Sequence, residues 1–400
     1  MKTAQKIYCR IFQQCFHIAL PILPYRRPKM LKTPADMAKV LKEKKVTSVL
    51  LVTDANIRKM GLTANTEETL KNSGISVTVF DKTHPNPTTD DVEEARQLYL
   101  SNQCSAIIGF GGGSAMDCAK ATGARIACPK KPLGKMEGIL RVRRGIPTLI
   151  AVPTTAGTGS ETTLAAVIVD SQTRHKYPIN DFALIPPYAM LDKTLTLSLP
   201  PMLTATTGLD ALTHAVEAYI GKSTIASTRK DAEDAVTLIF RYLPTAVKNG
   251  SDTEAREKML EAAYLAGNAF TRSYVGYVHA VAHSLGGQYN TPHGLANAVL
   301  LAPVLRYYGA CINEKLKRLA VCAGIAKESD SAEKASEAFI SAIEQMQADF
   351  GIPRTIAALK AADIPALAKQ AAHEGNPLYP VPVEMDADEL QALYRLILEE

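Results

Sequence analysis

The chain has 400 residues, of which 46% are apolar and 21% charged, a balance typical of soluble globular proteins and a length that suggests two domains. Residues 1–32 hold seven basic and no acidic side chains, so the net charge of +5 becomes −2 for residues 33–400. The body of the chain therefore lacks a basic surface, and we expect no nucleic-acid partner. The seven cysteines are scattered without a C-x-x-C pair, which argues against a disulfide framework and favours the cytoplasm.

The amino-terminal stretch Ile7–Tyr25 is rich in apolar residues and follows a basic start. A signal peptide would show an uninterrupted apolar run and a small-residue cleavage site, whereas two glutamines and His17 interrupt this stretch and Pro21 and Pro24 end it. We predict a strand or hairpin packed on the first domain, with a membrane-surface or targeting role as the alternative. No later stretch approaches the roughly 20 apolar residues of a membrane span, so we predict none.

Four short runs rich in β-branched residues predict buried strands in the first half of the chain. Helical patterns separate them: one ends at Gly74, and Thr89–Asn102 places Val92, Ala95 and Tyr99 on one face. Because strand, helix and strand alternate at these separations, the pattern predicts βαβ units and a parallel sheet. The predicted strands are Val46–Thr53, Ile75–Phe80, Ser105–Phe110 and Pro147–Val152.

Beyond Leu199 the apolar spacing is helical almost to the end of the chain, and strand-like runs disappear. We therefore place a domain boundary near residue 200. It separates an α/β domain (residues 1–200, with 1–45 an atypical amino-terminal segment) from an all-helical domain (residues 201–400). The helical patterns of the second domain include Glu254–Ala269, Glu314–Ala326, Ala332–Asp349 and Leu390–Leu398.

A glycine-rich loop links the third predicted strand to a helix predicted at Ala115–Thr122. Gly111, Gly112 and Gly113 let the backbone approach a ligand, and the N–H groups and dipole of the following helix favour an anion there. Ser114 can add a hydroxyl donor. The loop departs from the G-x-G-x-x-G pattern, so a glycine-rich turn without a ligand is the alternative to a phosphate-binding loop.

Two further features favour a dinucleotide. Asp54 ends the first predicted strand, where a carboxylate can accept hydrogen bonds from the adenosine ribose, although it could equally be a helix N-cap. The stretch 153–161, PTTAGTGSE, follows the fourth predicted strand and offers hydroxyl and N–H donors to a pyrophosphate or nicotinamide. We predict NAD as the ligand, because the Asp54 carboxylate would repel the 2′-phosphate of NADP.

Five metal-capable side chains lie in the second half of the chain, flanked by small and apolar residues. Asp210 and His214 are four residues apart on a helical pattern, as are His279 and His283, so each pair projects from one helix face. His293 follows at a turn flanked by proline and glycine. One carboxylate and three imidazoles form a four-ligand set that suits Fe²⁺ or Zn²⁺. With five candidates, one is expected to stay off the metal and take part in the chemistry.

Four motifs resemble those of the iron-containing (group III) alcohol dehydrogenases. They occur in the family's order, and the resemblance runs from about Val46 to the end, some nine-tenths of the chain. Before that point PYRRPKMLKTPADM stands where the family usually has a G-x-G-bearing segment. The four motifs are GFGGGSAMDCAK (109–120), PTTAGTGSE (153–161), TGLDALTHAVEAY (207–219) and HAVAHSLGGQYNTPHGLANAVLLAP (279–303).

The resemblance implies a dehydroquinate synthase-like architecture: an α/β dinucleotide-binding domain with a parallel sheet, an all-α metal-binding domain, and catalysis in a cleft between them. The family's metal ligands match Asp210, His214, His279 and His293, and the histidine that matches His283 lies by the nicotinamide and substrate. Members of the family are commonly homodimers. The positions that match NAD(P) contacts are Asp54, Asn86, Gly112, Gly113, Ser114, Thr154, Thr155 and Lys176.

The implied activity is that of a metal-dependent, NAD-linked alcohol dehydrogenase that interconverts a small alcohol and its aldehyde or ketone. The metal, Fe²⁺ or alternatively Zn²⁺, is expected to lower the pKa of the alcohol, NAD to accept the hydride, and His283 to carry the proton. Phe270 and Leu164 are expected to line the substrate pocket.

Three alternatives remain open. A related polyol (glycerol-type) dehydrogenase would use the same site. A 3-dehydroquinate synthase needs basic residues for its substrate phosphate, and residues 207–219 and 279–303 contain no lysine or arginine. A non-catalytic nucleotide-binding protein would show a damaged ligand set, whereas this set is intact.

Overall fold

The computed structural model describes residue 1 and residues 3–399, and it divides the chain into two compact units. We call residues 24–197 the α/β unit, and residues 1–23 together with 198–400 the helical unit. The expectation that residues 1–45 belong with the α/β half is wrong for residues 1–23, which cluster with the helical unit.

The α/β unit contains a parallel sheet, as the alternating strand and helix patterns predicted. The strands are β1 (Lys29–Leu31), β2 (Ser48–Val52), β3 (Ser76–Phe80), β4 (Ala106–Gly111), β5 (Gly138–Ile139), β6 (Thr148–Pro153), β7 (Ala165–Val169), β8 (Lys176–Asn180) and β9 (Tyr188–Met190). The large sheet has the order β1-β9-β6-β4-β2-β3, with each neighbouring pair parallel. A smaller sheet has the order β5-β8-β7, in which β7 and β8 are antiparallel.

The four predicted strands are confirmed as β2, β3, β4 and β6, within one or two residues of their predicted bounds. The remaining strands were not predicted. β1, β5 and β9 span only two or three residues, and β8 contains Pro178 and polar neighbours, so none of these four shows a long apolar run. β7 (AAVIV) is apolar and was missed all the same. Apolar periodicity therefore found four neighbouring strands of the large sheet, β3, β2, β4 and β6, and missed β9 and β1 on its other side and the whole smaller sheet.

Helices flank the sheet in the α/β unit and form most of the helical unit. They are α1 (Thr3–Ala19), α2 (Pro34–Glu43), α3 (Ala55–Lys59), α4 (Ala64–Asn72), α5 (Thr89–Ser101), α6 (Gly113–Ala127), α7 (Pro201–Ile220), α8 (Ala226–Lys248), α9 (Thr253–Ser273), α10 (Tyr277–Tyr289), α11 (His293–Tyr308), α12 (Asn313–Cys322), α13 (Ala332–Asp349), α14 (Ile364–Gly375) and α15 (Ala387–Arg395). The prediction for α13 is confirmed at both ends, whereas α12 and α15 each end three or four residues earlier than predicted.

Both faces of the large sheet are buried, and this explains why its central strands are continuous apolar runs in the sequence. Leu50 and Val52 of β2 pack on one side with residues of α5 and α6. Val49 and Leu51 point the other way and pack with residues of α2 and α4. β4 and β6, which precede the glycine-rich and hydroxyl-rich loops, also place side chains in both of these cores.

Residues 3–19 form helix α1, so the strand or hairpin predicted for Ile7–Tyr25 is wrong. Its apolar residues have helical spacing, and Cys9 of the helix and Leu20, directly after it, are buried. Gln13, which interrupts the apolar run in the sequence, is also buried, because its Nε2 donates to the carbonyl oxygen of Tyr379 at 2.8 Å. A buried amide with a hydrogen-bond partner therefore accounts for this polar residue in the apolar run.

Helix α7 lies in the core of the helical unit, where residues 204–220 are all buried. It packs against α8, α9 and α11. Among the described residues one stretch, His293–Cys322, is long and apolar enough to cross a membrane by length and composition alone, but 61% of its most apolar window is buried inside the protein. It covers α11 and α12, and we interpret it as core.

Candidate metal centre and nucleotide-binding loops

Four potential metal ligands meet in the helical unit. Asp210 and His214 lie one turn apart on α7, His279 lies on α10, and His293 is the first residue of α11. One donor atom from each lies within 4.8 Å of the others. Three of these residues are buried, and His293 is half-buried. The structure thus brings together the four side chains that the sequence predicted as ligands.

The donor atoms are arranged as they would be around a cation. Oδ1 of Asp210 lies 3.5 Å from Nε2 of His293 and 4.0 Å from Nε2 of His279. Nδ2 of Asn297 is 2.6 Å from that Oδ1 and 3.1 Å from both Nε2 atoms. An amide NH₂ has two hydrogens and cannot satisfy three acceptors, and among the described residues Oδ1 of Asn297 is buried without a hydrogen-bond partner. Several acceptor atoms therefore converge at this point with too few hydrogen-bond donors to satisfy them. A divalent metal ion would satisfy these acceptors.

Glu217, which the sequence analysis did not single out, fixes the orientation of His279. It lies two turns after Asp210 on α7, and its Oε2 is 2.6 Å from Nδ1 of His279. The backbone N–H groups of Gly276 and Val278 also donate to Glu217, at 2.9 and 2.8 Å. Burial raises the pKa of the Glu217 carboxyl to about 7, while these donors favour its ionised form. Because Nδ1–H donates to the carboxylate, Nε2 of His279 carries the lone pair.

The imidazole rings of the ligand set pack against one another and against Phe270. His214 stacks on Phe270 with ring centroids 4.1 Å apart, and its centroid lies 4.4 Å from that of His279. Burial, together with the neighbouring histidines, holds the pKa of His279 well below its ordinary value, so the ring is in the neutral form that binds metals. Phe270 therefore supports a metal ligand, and its expected role in lining a substrate pocket stays a prediction.

His283 lies one turn after His279 on α10 but outside the four-ligand group. Its ring stacks on that of His293, with centroids 5.2 Å apart. Its Nδ1 is 2.6 Å from Oε1 of Glu374, and 41% of its side chain is exposed. This position fits the expectation that one of five candidates stays off the metal, and its role as proton carrier stays a prediction.

In the α/β unit, the glycine-rich loop joins β4 to α6, which begins at Gly113. Gly111 has a φ of +149°, and a Cβ there would lie 2.8 Å from the Cβ of Ala115, so only glycine fits. At Gly112 the nearest atom to an added Cβ is Oγ1 of Thr155, at 3.9 Å. The start of α6 is therefore open to a ligand beside backbone N–H groups that favour an anion.

The hydroxyl-rich stretch 153–161 lies beside this loop. The N–H group of Thr154 donates to the carbonyl oxygen of Gly111 at 3.0 Å. Oγ1 of Thr155 is buried and, within the described part of the chain, has no hydrogen-bond partner. Buried hydroxyl groups are usually satisfied, so an unsatisfied one next to an open glycine backbone fits a ligand that brings its own polar atoms, such as a dinucleotide.

Lys120, at the end of the glycine-rich motif, holds the hydroxyl-rich stretch in place and was not predicted as a site residue. Its Nζ is buried and lies 2.7–3.0 Å from oxygen atoms of Ser160, Thr163 and Ala165. Asp117, one turn earlier on α6, accepts a hydrogen bond from the Ser160 hydroxyl at 2.9 Å. Burial lowers the pKa of Lys120 to about 8, while the carboxyl groups of Asp117 and Glu161 favour its charged form.

Asp54 follows β2 and is the N-cap of α3. Its Oδ1 accepts hydrogen bonds from the backbone N–H groups of Asn56 and Ile57, at 2.9 and 3.0 Å. Its Oδ2 lies 3.7 Å from the position of a Cβ added to Gly111. The N-cap interpretation is confirmed for one carboxylate oxygen, and a ribose contact stays a prediction for the other.

Three other expected cofactor residues meet in the α/β unit. The N–H group of Asn86 donates to Oγ of Ser114 at 3.4 Å, and Nζ of Lys176 donates to Oδ1 of Asn86 at 2.6 Å. Asn86 and Lys176 are exposed. Leu164 is half-buried just before β7, and its role toward a substrate stays a prediction.

Both halves of the chain match models of one protein family. Residues 32–193 match the family described as iron-containing alcohol dehydrogenase. Residues 204–398 match the C-terminal part of the Fe-containing alcohol dehydrogenase family. The matched ranges include every ligand and cofactor residue expected from the sequence.

Similar proteins include dehydrogenases of small alcohols. The chain is 40% identical over 365 residues to a 1,3-propanediol dehydrogenase of Citrobacter freundii, covering 90% of this chain and 93% of that protein. It is 38% identical over 333 residues to an NAD-dependent methanol dehydrogenase of Bacillus methanolicus, covering 83% and 87% of the two chains. A crystal structure of a 1,3-propanediol oxidoreductase has a TM-score of 0.88 and 37% identity, covering 93% of this chain and 97% of that one.

Proposed function

The chain belongs to the iron-containing alcohol dehydrogenase family, and from this premise we propose that it interconverts a small alcohol and its aldehyde or ketone, with NAD as hydride carrier and Fe²⁺ as cofactor. The observation that carries the proposal is the convergence of Asp210, His214, His279 and His293, whose donor atoms lie within 4.8 Å of one another. Zn²⁺ is the alternative metal, because the same donors suit it.

These four ligands would hold the metal ion. When bound, the ion supplies a Lewis acid that lowers the pKa of an alcohol hydroxyl group. Glu217 accepts the Nδ1–H of His279 at 2.6 Å and so keeps the lone pair on Nε2. Asn297 donates to Oδ1 of Asp210 at 2.6 Å and orients that carboxylate.

The loops of the α/β unit would hold NAD. When bound, NAD supplies the hydride acceptor on its nicotinamide ring. The open backbone at Gly112 and the N–H group of Gly113, with the hydroxyl group of Ser114, would receive the pyrophosphate. Thr155 offers a buried hydroxyl group that lacks a protein partner among the described residues. Oδ2 of Asp54 would accept hydrogen bonds from the adenosine ribose.

His283 would carry the proton between the alcohol and solvent. It lies outside the ligand group, is 41% exposed, and stacks on the ligand His293. An imidazole off the metal can accept and release a proton near neutral pH without emptying the metal site. This combination of contact with the metal set and exposure to solvent supports the role.

The substrate class that we propose is small alcohols with few polar groups besides the reacting hydroxyl group. Phe270 stacks on His214 and adds an apolar surface beside the ligand set. A related polyol dehydrogenase is the second candidate, because a relative that is 40% identical is named a 1,3-propanediol dehydrogenase. Comparing a monohydric alcohol with a diol of equal length distinguishes the two candidates.

We further propose that the enzyme acts in the cytoplasm as a homodimer. Its seven cysteines are free, which suits a reducing compartment. Ile7, Ile11 and Ile18 of α1 are 55–67% exposed, and such an apolar surface supports association with a second copy. Sedimentation velocity should show twice the chain mass; a monomer at micromolar concentration would contradict the dimer.

The test is NADH formation with a panel of short alcohols and diols, run on chelated protein loaded with Fe²⁺ or Zn²⁺. NADH formation with at least one member of the panel and one of the metals supports an alcohol dehydrogenase. Tight NAD binding without turnover on any member would instead support a non-catalytic protein. Turnover of a phosphorylated sugar acid without net NADH would favour the dehydroquinate synthase alternative.

A further inference from the structure

A carboxylate outside the metal ligands holds His283 at Nδ1. Oε1 of Glu374, near the end of α14, is 2.6 Å from Nδ1 of His283 and 2.6 Å from the hydroxyl oxygen of Tyr379. Both groups can only donate to an ionised carboxylate, so a single oxygen atom receives two short, charge-assisted hydrogen bonds. The arrangement gives Glu374 a fixed position relative to the His283 ring.

The segment that carries Glu374 and Tyr379 is anchored by helix α1. Nε2 of Gln13 donates to the carbonyl oxygen of Tyr379 at 2.8 Å, and a guanidinium N–H of Arg10 donates to the carbonyl oxygen of Val381 at 2.8 Å. Tyr379 is itself buried. The amino-terminal helix therefore contributes to the rigidity of the carboxylate that faces His283.

The contact at His283 involves the same ring atom and the same distance as the one at His279, one turn earlier on α10. In each case a glutamate oxygen lies 2.6 Å from Nδ1. A neutral imidazole carries one proton, and a carboxylate acceptor at Nδ1 places it there, so that Nε2 carries the lone pair. At His279 this lone pair faces the metal set. At His283 it would be the atom that exchanges a proton.

We propose that Glu374, held by Tyr379, is a positioning residue for His283: it selects the Nδ1–H tautomer and fixes the ring so that Nε2 accepts the proton of the alcohol. This inference rests on the proposed role of His283 in proton transfer. No bond to Glu374 forms or breaks in the reaction, and the carboxylate stays ionised. The proton moves from the alcohol oxygen to Nε2 and from there to solvent.

Kinetics in two backgrounds test the proposal. In the metal-loaded enzyme, Glu374→Ala should lower kcat about 10–100-fold, the usual cost of losing a histidine-orienting carboxylate, with metal content and the KM for NAD unchanged. Glu374→Gln, which keeps an acceptor oxygen and tests the effect without a cavity, should recover most of the loss. In a His283→Gln background, Glu374→Ala should have no further effect. Glu344→Ala, which removes a surface partner of Arg306, is the matched control.

An equal loss of kcat from Glu374→Ala in both backgrounds would show that Glu374 acts through the fold and would overturn the inference. If His283→Gln leaves kcat unchanged while metal stays bound, the proposed role of His283 itself fails, and that result is separate from any effect of Glu374. If the wild-type protein produces no NADH, the proposed dehydrogenase activity itself is wrong, whatever the role of Glu374.

The ring nitrogens give a readout independent of turnover. In Zn²⁺-loaded protein, ¹⁵N NMR of His283 should show a proton on Nδ1 and no proton on Nε2. Tyr379→Phe should weaken this preference and Glu374→Ala should abolish it. A wild-type spectrum with the proton on Nε2 would contradict the proposal whatever the kinetics show.

Discussion

The two units of the molecule carry different kinds of binding groups. The candidate metal centre of the helical unit consists of side chains that three helices bring together from positions 210 to 293, and three of the four potential ligands are buried. The loops of the α/β unit that we propose for NAD offer mainly backbone N–H groups and hydroxyls, which follow β4 and β6 directly. Removing one side chain from the first leaves a buried set incomplete, whereas backbone donors survive most substitutions. Mutations should therefore act more strongly in the helical unit.

The largest effect should come from a metal ligand. In His279→Gln, the imidazole lone pair on Nε2 and the hydrogen bond to Glu217 are both lost, so we expect an empty site and activity below detection. Elemental analysis and NADH formation check this together. His373→Gln, at an exposed histidine of α14, is the control and should keep full metal content. Equal metal content in both variants would remove His279 from the ligand set.

The next effect should be kinetic and should leave the metal in place. His283→Gln removes the proposed proton carrier, and general acid–base catalysis is typically worth about 10²–10⁴-fold in rate. We expect kcat to fall within that range at unchanged metal content. The comparison with His279→Gln under identical metal loading decides the assignment: if His283→Gln also empties the site, His283 is a ligand.

A smaller effect should follow from the carboxylate that orients His279. Glu217→Gln keeps the shape but loses the charge, and places an amide where two backbone N–H groups already donate. We expect the affinity for the metal to fall about 10–100-fold. Competition with a chromogenic chelator measures the change. An unchanged dissociation constant would mean that the hydrogen bond at Nδ1 does not influence the metal site.

In the α/β unit the expected effect is on selectivity and not on activity as a whole. The Asp54 carboxylate should repel the 2′-phosphate of NADP, and at a partly exposed position this should amount to roughly 10–100-fold in the NAD/NADP ratio of kcat/KM. Asp54→Asn keeps an N-cap but removes the charge, whereas Asp54→Gly removes both. Both variants should relax the preference. If stability falls while the NAD/NADP ratio of kcat/KM stays unchanged, Asp54 acts only as an N-cap and does not contact the ribose.

The two units also differ in how far the sequence predicted them. Asp210 and His214 were predictable because side chains three or four residues apart project from the same face of a helix. His279 was predictable for the same reason, together with His283. The same spacing extends to Glu217, three residues after His214, and could have identified it. Asn297, four residues after His293, follows the same rule but was not predicted, because one carboxylate and three imidazoles already made a complete four-ligand set.

Other parts depended on contacts that no local pattern contains. Glu374 meets His283 from 91 positions away in sequence, and Lys120 meets Ser160 from 40 positions away. β1 and β9 pair with each other although 159 positions separate the paired residues, and neither strand is long enough to show a period. Ile7–Tyr25 was predicted as a strand or hairpin, and the contact that buries Gln13 of α1 comes from Tyr379, 366 positions away. Local sequence patterns thus predicted the candidate ligands and loops. The residues that hold them in place depend on tertiary contacts and could not be predicted from local patterns.

We expect one metal ion at Asp210, His214, His279 and His293 to support NAD-dependent oxidation of an alcohol. To test this, Fe²⁺ is added stepwise, without oxygen, to chelated protein, and NADH formation is followed on the best alcohol of the panel. We expect almost no activity at zero metal, a linear rise, and a plateau at one bound ion per chain. Full activity at near-zero metal content would contradict it.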